Sequence, residues 1–408
     1  MKVLRKIKEE KGSITMTVVA AMLFITSAIM IAYFSLSNQS NNQGRKLKKI
    51  ASSYNYNDNE LIQKYKETLD SLDSITSMTY SEARALDNYL TGKKTNTIVT
   101  DETGKEFIVP GGYKVTSDAN IIDNGMVIQD ASGNEWVWIP VSDEDLALMV
   151  EESSTGWNMS ETDINTKYKT PSVTIGTKEF ERLNPGLQGH REPDLLSSND
   201  SDETNYTQAG FSDLSDMATK LKDDYKDMIN SIKNNSGFYV GRYELGKDSD
   251  NNPQVKAGFI KNYESWYSLY LECKEFGNEN VESRMIWGNQ WDQICRFIKA
   301  YGNKVNLDDS RTYGNYTNSE GAALSNSGSD TWNNTTGIRN EVWKINNMYD
   351  LAGNCWEWTQ EASYSVSRTI RGGCYYANGQ DYSVLARSNF NCTDLNSGVS
   401  TRPVLYIK

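Results

Sequence analysis

Five cysteines and a single histidine bound the covalent and metal chemistry open to this 408-residue chain. A cysteine acts as nucleophile or soft-metal ligand only as its thiolate, and thiolates select ions such as copper(I). Cys273, Cys295, Cys355, Cys374 and Cys392 form an odd set without a C-x-x-C pair, so at most two disulfides could form and one thiol would be left over. Cys355 precedes Cys374 by 19 positions and Cys392 follows it by 18, which matches no familiar thiolate-pair spacing. His190 lies in the loop-like run Gly189-His190-Arg191-Glu192-Pro193. Ser-His-Asp triads, HExxH zinc sites and three-histidine iron sites each need histidine at a defined place, so a lone loop histidine argues against all three.

Groups that could pair or hydrogen-bond gather late in the chain. Gly353-Asn354-Cys355-Trp356-Glu357-Trp358 sets an amide and a carboxylate among tryptophans, while Arg371-Gly372-Gly373 and Arg402-Pro403 each supply a guanidinium suited to bidentate carboxylate pairing. Tryptophan brings large apolar contact area, Gly353 permits a tight turn, and Asn354 and Glu357 suit ties from side chain to neighbouring backbone. These positions read as the scaffold of a site rather than as its contacts. Residues 374–401 are rich in Tyr, Ser, Asn and Asp and contain no Lys, Glu, Met or Trp. Tyrosine gives rigid amphipathic area at small entropic cost and Ser, Asn and Gly give adaptable hydrogen bonds, which is the composition of a paratope. The candidate contact residues are Tyr375, Tyr376, Asn378, Asp381, Tyr382, Ser383, Ser388, Asn389, Phe390, Asn391, Asp394 and Asn396, facing a protein or carbohydrate ligand.

Those residues need a platform, and the remaining sequence divides into a leader, a stalk and a large C-terminal domain, at 1–36, 37–104 and 105–408. The net charge of −12 argues against a nucleic-acid partner, because phosphate binding requires basic patches. Residues 14–36 carry no charged side chain, and 23 residues at about 1.5 Å each suffice to cross a hydrocarbon core of about 30 Å. Lys2, Arg5, Lys6, Lys8 and Lys11 upstream favour a cytoplasmic N-terminus, although Arg45, Lys46, Lys48 and Lys49 weaken the asymmetry. The expected location is therefore a membrane anchor with an extracytoplasmic C-terminal domain at the cell surface; a cleavable secretory signal is the competing reading. Leu47, Ile50, Tyr54, Leu61, Ile62, Tyr65, Leu69 and Leu72 recur mostly at helical steps and suggest a stalk broken near 55–59, followed by a second helix over 81–90.

From 109 to 141, apolar residues alternate between turn signals such as Asp123-Asn124-Gly125 and Ser132-Gly133-Asn134, which predicts strands. Residues 142–236 then separate these strands from the strand-like Gly237-Phe238-Tyr239-Val240-Gly241. They include a helix capped by Ser212 or Asp213, with Leu214, Met217, Leu221, Tyr225, Met228, Ile229 and Ile232 on one face. Helical spacing recurs over 265–276 and 289–301. The class is α+β, with short strands and much irregular structure.

The run Asn347-Met348-Tyr349-Asp350-Leu351-Ala352-Gly353-Asn354-Cys355-Trp356-Glu357-Trp358, then Arg371-Gly372-Gly373-Cys374, then Arg402-Pro403-Val404 resembles the signature of the formylglycine-generating enzyme (sulfatase-modifying factor) family. Trp136-Val137-Trp138-Ile139-Pro140 and Gly237 to Glu244 resemble that family's opening strands, which the family usually joins closely, so the resemblance implies an insertion at about 142–236. The resemblance implies a C-type-lectin-like fold, which hosts oxidases and pure binding proteins alike. Family oxidases place two copper-binding cysteines shortly after the Arg-x-Gly-Gly-Ser motif. Here Cys374 stands at the serine, and Tyr375 to Tyr382 supply neither cysteine, so copper and the oxidase activity are not expected. No catalytic residue is assigned, and a structural calcium remains compatible with the family. The iron-dependent sulfoxide synthases of this fold need a histidine set that the chain lacks.

The 374–401 window also resembles the variable region of proteins diversified by retroelements, which use the same fold and the same end of the chain. Adenine mutagenesis of Asn-type codons excludes Lys, Gln, Glu, Met and Trp, so within the window only Gln380 needs another origin. Lys11-Gly12-Ser13 before the apolar run resembles a type IV prepilin, although Thr17 replaces the glutamate found in major pilins. A minor pilin with pilus partners and a copper oxidase therefore stand as alternatives to a fixed or diversified binding protein.

Overall fold

The computed structural model describes residues 72–146, 149, 203–302, 305–320, 335–337, 341–364 and 367–408. Chain contacts divide into two units, Met1–Thr116 and Ser117–Lys408.

In the first unit, strand β1 (Ser77–Thr79) leads straight into helix α1 (Tyr80–Ala85), and α2 (Asp87–Leu90) follows. Thr79 starts α1 by a reciprocal cap: its hydroxyl accepts from the Glu82 backbone N–H, and the Glu82 carboxylate accepts from the Thr79 N–H at 2.9 Å. Strand β2 (Thr97–Thr100) pairs in parallel with β1 and antiparallel with β3 (Glu106–Val109), and β4 (Tyr113–Val115) comes last. Alternation along β2 and β3 buries Val99, Phe107 and Val109 on one face.

The second unit opens with the hairpin β5 (Val127–Asp130) and β6 (Glu135–Pro140), whose turn is held by Asp130 accepting from the Asn134 backbone N–H at 2.9 Å. After α3 (Glu203–Gln208) comes α4 (Leu214–Asn235), capped by Asp213, which accepts from the Asp216 N–H at 2.8 Å. Met217, Leu221, Tyr225, Met228 and Ile232 fall on its buried face, which packs on the sheet. Strand β7 (Gly237–Gly241) pairs with β6 so that Pro140 faces Gly237; the chain between them therefore leaves and rejoins the sheet at one point.

Next come β8 (Gly246–Lys247), β9 (Pro253–Gln254), β10 (Gly258–Ile260), α5 (Trp266–Glu272), β11 (Val281–Met285), α6 (Gly288–Tyr301), β12 (Thr335–Thr336), β13 (Lys344–Ile345) and β14 (Met348–Tyr349). The chain closes with β15 (Trp356–Tyr364), β16 (Ser367–Arg371), β17 (Arg387–Asn391), β18 (Val399–Thr401) and β19 (Pro403–Ile407). One sheet runs β11-β19-β7-β6-β5, all antiparallel; a second runs β17-β16-β15-β18, with β15 and β18 parallel; a third, small one runs β12-β10-β8-β9. Helix α6 is buried along most of its length and packs on both β6 and β15, so it lies between the two larger sheets. The result is a mixed α+β chain of several small sheets and few helices, as the alternating and helical patterns imply.

The expected membrane anchor is corrected. Among the described residues no helix is long and apolar enough to cross a membrane. The longest described helix, α4, has 22 residues but is amphipathic, with Lys and Asp throughout its outer face. The apolar run 14–36, the prepilin-like leader, the stalk positions 47–69 and His190 lie outside the described residues.

Candidate functional site

The frame begins at a turn that only glycine fits. Gly353 has φ +78°, and a Cβ there would lie 2.1 Å from the Asn315 carbonyl oxygen. Asn354 follows at φ +60°, and its side chain donates to Glu244 Oε2 at 2.5 Å while accepting from the Asn315 amide at 2.9 Å. Glu244 Oε1 accepts from the Cys355 N–H at 3.0 Å, so this buried carboxylate grips both residues. Trp356, Glu357 and Trp358 then alternate along β15. Trp356 meets Tyr382 edge-on at 5.7 Å and Trp358 meets Phe390 at 6.2 Å.

Glu357 points the other way, into a fully buried pair with Arg402. Arg402 Nε donates to both carboxylate oxygens at 3.1 and 3.0 Å and Nη2 donates to Oε1 at 2.6 Å. Its remaining donors reach the Gly241 and Tyr349 carbonyls, both at 2.9 Å. A second knot joins β16, β17 and α6, where Arg371 and Arg387 hold the two oxygens of Asp292 at 2.8 and 2.6 Å, with Glu361 3.5 Å from Arg387. Burial alone would raise Asp292, but Arg387 and Arg371 together hold it below the ordinary carboxylate range. Gly372 accepts from the Gly353 N–H at 2.8 Å and the Tyr316 hydroxyl at 2.7 Å, and Gly373, at φ +78°, passes the Tyr382 carbonyl where a Cβ would lie 2.2 Å away.

Burial dominates the titration of this frame. It pushes Asp350 up to about 6, against the pull of hydrogen bonds from Gly337 and Thr336 and of the Arg402 charge. It also raises Glu244 well above the ordinary carboxylate value, helped by the Asp350 and Glu357 charges, and raises Glu357 despite Arg402. All five cysteines are buried. Burial pushes Cys374 and Cys295 up to about 12, and raises Cys355 and Cys273 well above the ordinary thiol value.

The contact candidates separate into three groups. Tyr376, Asp381, Tyr382, Asn391 and Asp394 are exposed; Tyr375, Asn378, Ser388, Asn389, Phe390 and Asn396 are half-buried; Ser383 is fully buried and does not reach the surface. Several of the polar members shape their own loops. Asn378 Oδ1 accepts from the Gln380 N–H at 2.9 Å, Asp394 accepts from the Asn391 N–H at 3.1 Å, and Asn396 accepts from the Gly398 N–H at 2.8 Å. Tyr375 and Tyr376 meet edge-on at 5.0 Å, and Tyr376 lies against Gly398.

One participant escaped the reading of the sequence. The segment 306–320 runs beside 376–380: Asn318 Nδ2 donates to Asn378 at 2.8 Å, Gln380 Nε2 donates to Asp309 at 3.2 Å, and the Thr317 hydroxyl donates to the Ala377 carbonyl at 2.9 Å. Its Asn, Asp, Ser and Tyr content matches that of 374–401, and this shared composition is the signal that could have paired the two stretches.

No protein-family model matches the chain, and no curated protein matches it. Among solved structures it is similar to Treponema denticola variable protein 1, at 15% identity, 76% coverage of this chain and 99% of the other, with a TM-score of 0.24. A match that loose carries no argument about function.

Proposed function

We propose that residues 374–401 form a recognition surface for a protein or carbohydrate ligand, carried on a scaffold of the C-type-lectin-like, sulfatase-modifying type, and that its exposed positions are open to retroelement diversification. The observation that carries this reading is a division of labour. Side chains with reactive or strongly charged groups, namely Glu244, Glu357, Arg371, Arg402 and the cysteines, are buried and used up in internal bonds or raised thiols. The exposed contact candidates are Tyr, Asn and Asp on short, self-bonded loops, which give contact area and hydrogen bonds without a reacting pair. A recognition function uses the second set and needs the first only for support.

The test selects a random-peptide display library on the full chain. Peptides that enrich should lose about tenfold or more in affinity against Tyr376→Ala and Tyr382→Ala, as expected for aromatic anchors. Peptides that bind both variants as tightly as the parent chain would refute the surface. Diversification is tested separately by deep sequencing of the 3′ end of the gene. Variation at positions such as 376, 381, 382, 391 and 394, with none at buried Val384, Leu385 and Ala386, supports it; an invariant 3′ end refutes it.

A further inference from the structure

Seven non-glycine residues among those described have left-handed backbone, and six of them, Ser236, Asn251, Asn346, Asn347, Asp350 and Asn354, carry the short polar side chains that tolerate it. The seventh is Tyr263, at φ +63°. A bulky side chain there is strained, and strain persists only where the surroundings over-determine the backbone. They do so here. Lys261 is buried, its backbone N–H donates to the Leu245 carbonyl at 2.8 Å and its Nζ pairs with Glu272 at 2.7 Å. On the far side, the Trp266 N–H donates to the Cys392 carbonyl at 3.0 Å.

Internal packing does not account for a tyrosine in that place. Its side chain is 62% exposed, and among the described residues its hydroxyl makes no hydrogen bond. Its backbone is instead fastened to the recognition surface: the Tyr263 N–H donates to the Asn396 carbonyl at 3.2 Å, and Asn262 Nδ2 donates to the Ser397 carbonyl at 2.7 Å. Leu395, next to Asn396, is 53% exposed, and Gly398 supports the Tyr376 ring.

We propose that Tyr263 is a fixed aromatic contact of this surface, contributed from outside the 374–401 window, and that the surface takes a protein partner. The inference rests on the recognition reading above. The exposed Leu395 favours protein over carbohydrate, because an aliphatic side chain gains from a partner's apolar atoms and offers a sugar's hydroxyls nothing. A constant tyrosine beside a loop of variable composition gives every version of the surface one rigid anchor with few rotamers to freeze.

The experiment uses the full chain with Tyr263→Gly, Tyr263→Asn and Tyr263→Phe, and the peptides selected on the parent chain. Gly and Asn relieve the strained backbone, so both variants should melt at a higher temperature while peptide affinity falls about tenfold or more. Tyr263→Phe keeps ring and strain, and should keep both melting temperature and affinity close to the parent's. A lower melting temperature for both Gly and Asn would show the ring to be structural and overturn the proposal. Peptides sensitive to Tyr376→Ala but indifferent to Tyr263→Gly would overturn it while leaving the recognition reading standing. Indifference to all of these variants would remove both. Glycan-array binding abolished by Tyr263→Gly, with no peptide enriched, would overturn the assignment of a protein partner.

Discussion

Replacing Glu357 by Gln tests whether the buried frame holds the recognition surface by charge. The substitution keeps shape and removes one charge, leaving Arg402 fully buried opposite a neutral amide. Breaking one side of a buried ion pair costs about 3–5 kcal/mol. Two features of the structure place the expected loss near the lower end. Arg402 keeps its bonds to the Gly241 and Tyr349 carbonyls, which hold the guanidinium in place. The charge of Glu357 is also among the causes that raise Glu244, so removing it lets Glu244 ionise more readily and supply part of the missing countercharge. The expected loss is thus about 3 kcal/mol, a drop in urea midpoint of about 1 M or more for an m-value of about 1–3 kcal/mol per M. Tryptophan fluorescence is the suitable probe, because all ten tryptophans lie in the Ser117–Lys408 unit and report its transition alone. Arg402→Met added to Glu357→Gln should recover part of the loss, since it removes the orphaned charge. A loss below about 1 kcal/mol for Glu357→Gln, or no recovery in the double variant, would refute the reasoning.

Asp350→Asn should change how stability depends on pH. The folded pKa of about 6 lies above an unfolded value near 3.9, so the native state holds this proton more tightly; the contribution is fully present below about pH 4 and lost as pH rises through 6. That difference corresponds to about 3 kcal/mol, which the parent chain should lose between pH 4 and 7 and the Asn variant should not, its Oδ1 still accepting from Thr336 and Gly337. Urea melts across that range check it, and parallel pH profiles would contradict the assignment. Gly373→Ala combines φ +78° with a Cβ 2.2 Å from the Tyr382 carbonyl, so it should cost about 1–3 kcal/mol or more and shift the Tyr382 loop. An unchanged midpoint and unaltered peptide binding would show that the turn relaxes freely.

Local chemistry made much of the secondary structure legible. The spacing from Met217 to Ile232 with an Asp213 cap marks α4, and Asp130 to Asn134 marks the β5–β6 hairpin, because caps and turns are set by hydrogen bonds between near neighbours. The Tyr, Ser and Asn composition of 374–401 was equally visible, since composition needs no fold to be read. Within that window the sequence could not sort contacts from supports. Tyr382 is exposed while the adjacent Ser383 is buried, and Asn378, Asp394 and Asn396 close their own turns.

The partners were hidden for a related reason. Arg371 finds Asp292 79 positions away, Asn354 finds Glu244 110 positions away, and Asn396 meets Tyr263 across the window's edge. The amino-acid sequence by itself determined the mixed α+β class, the local caps and turns, and the recognition-like composition of the C-terminal segment. Only the tertiary structure decided which side chains are buried in paired charges, which stand exposed, and which distant loops join the face. The physical reason is that those outcomes depend on how sheets and α6 pack together, and packing is chosen over the whole chain rather than along any one stretch of it.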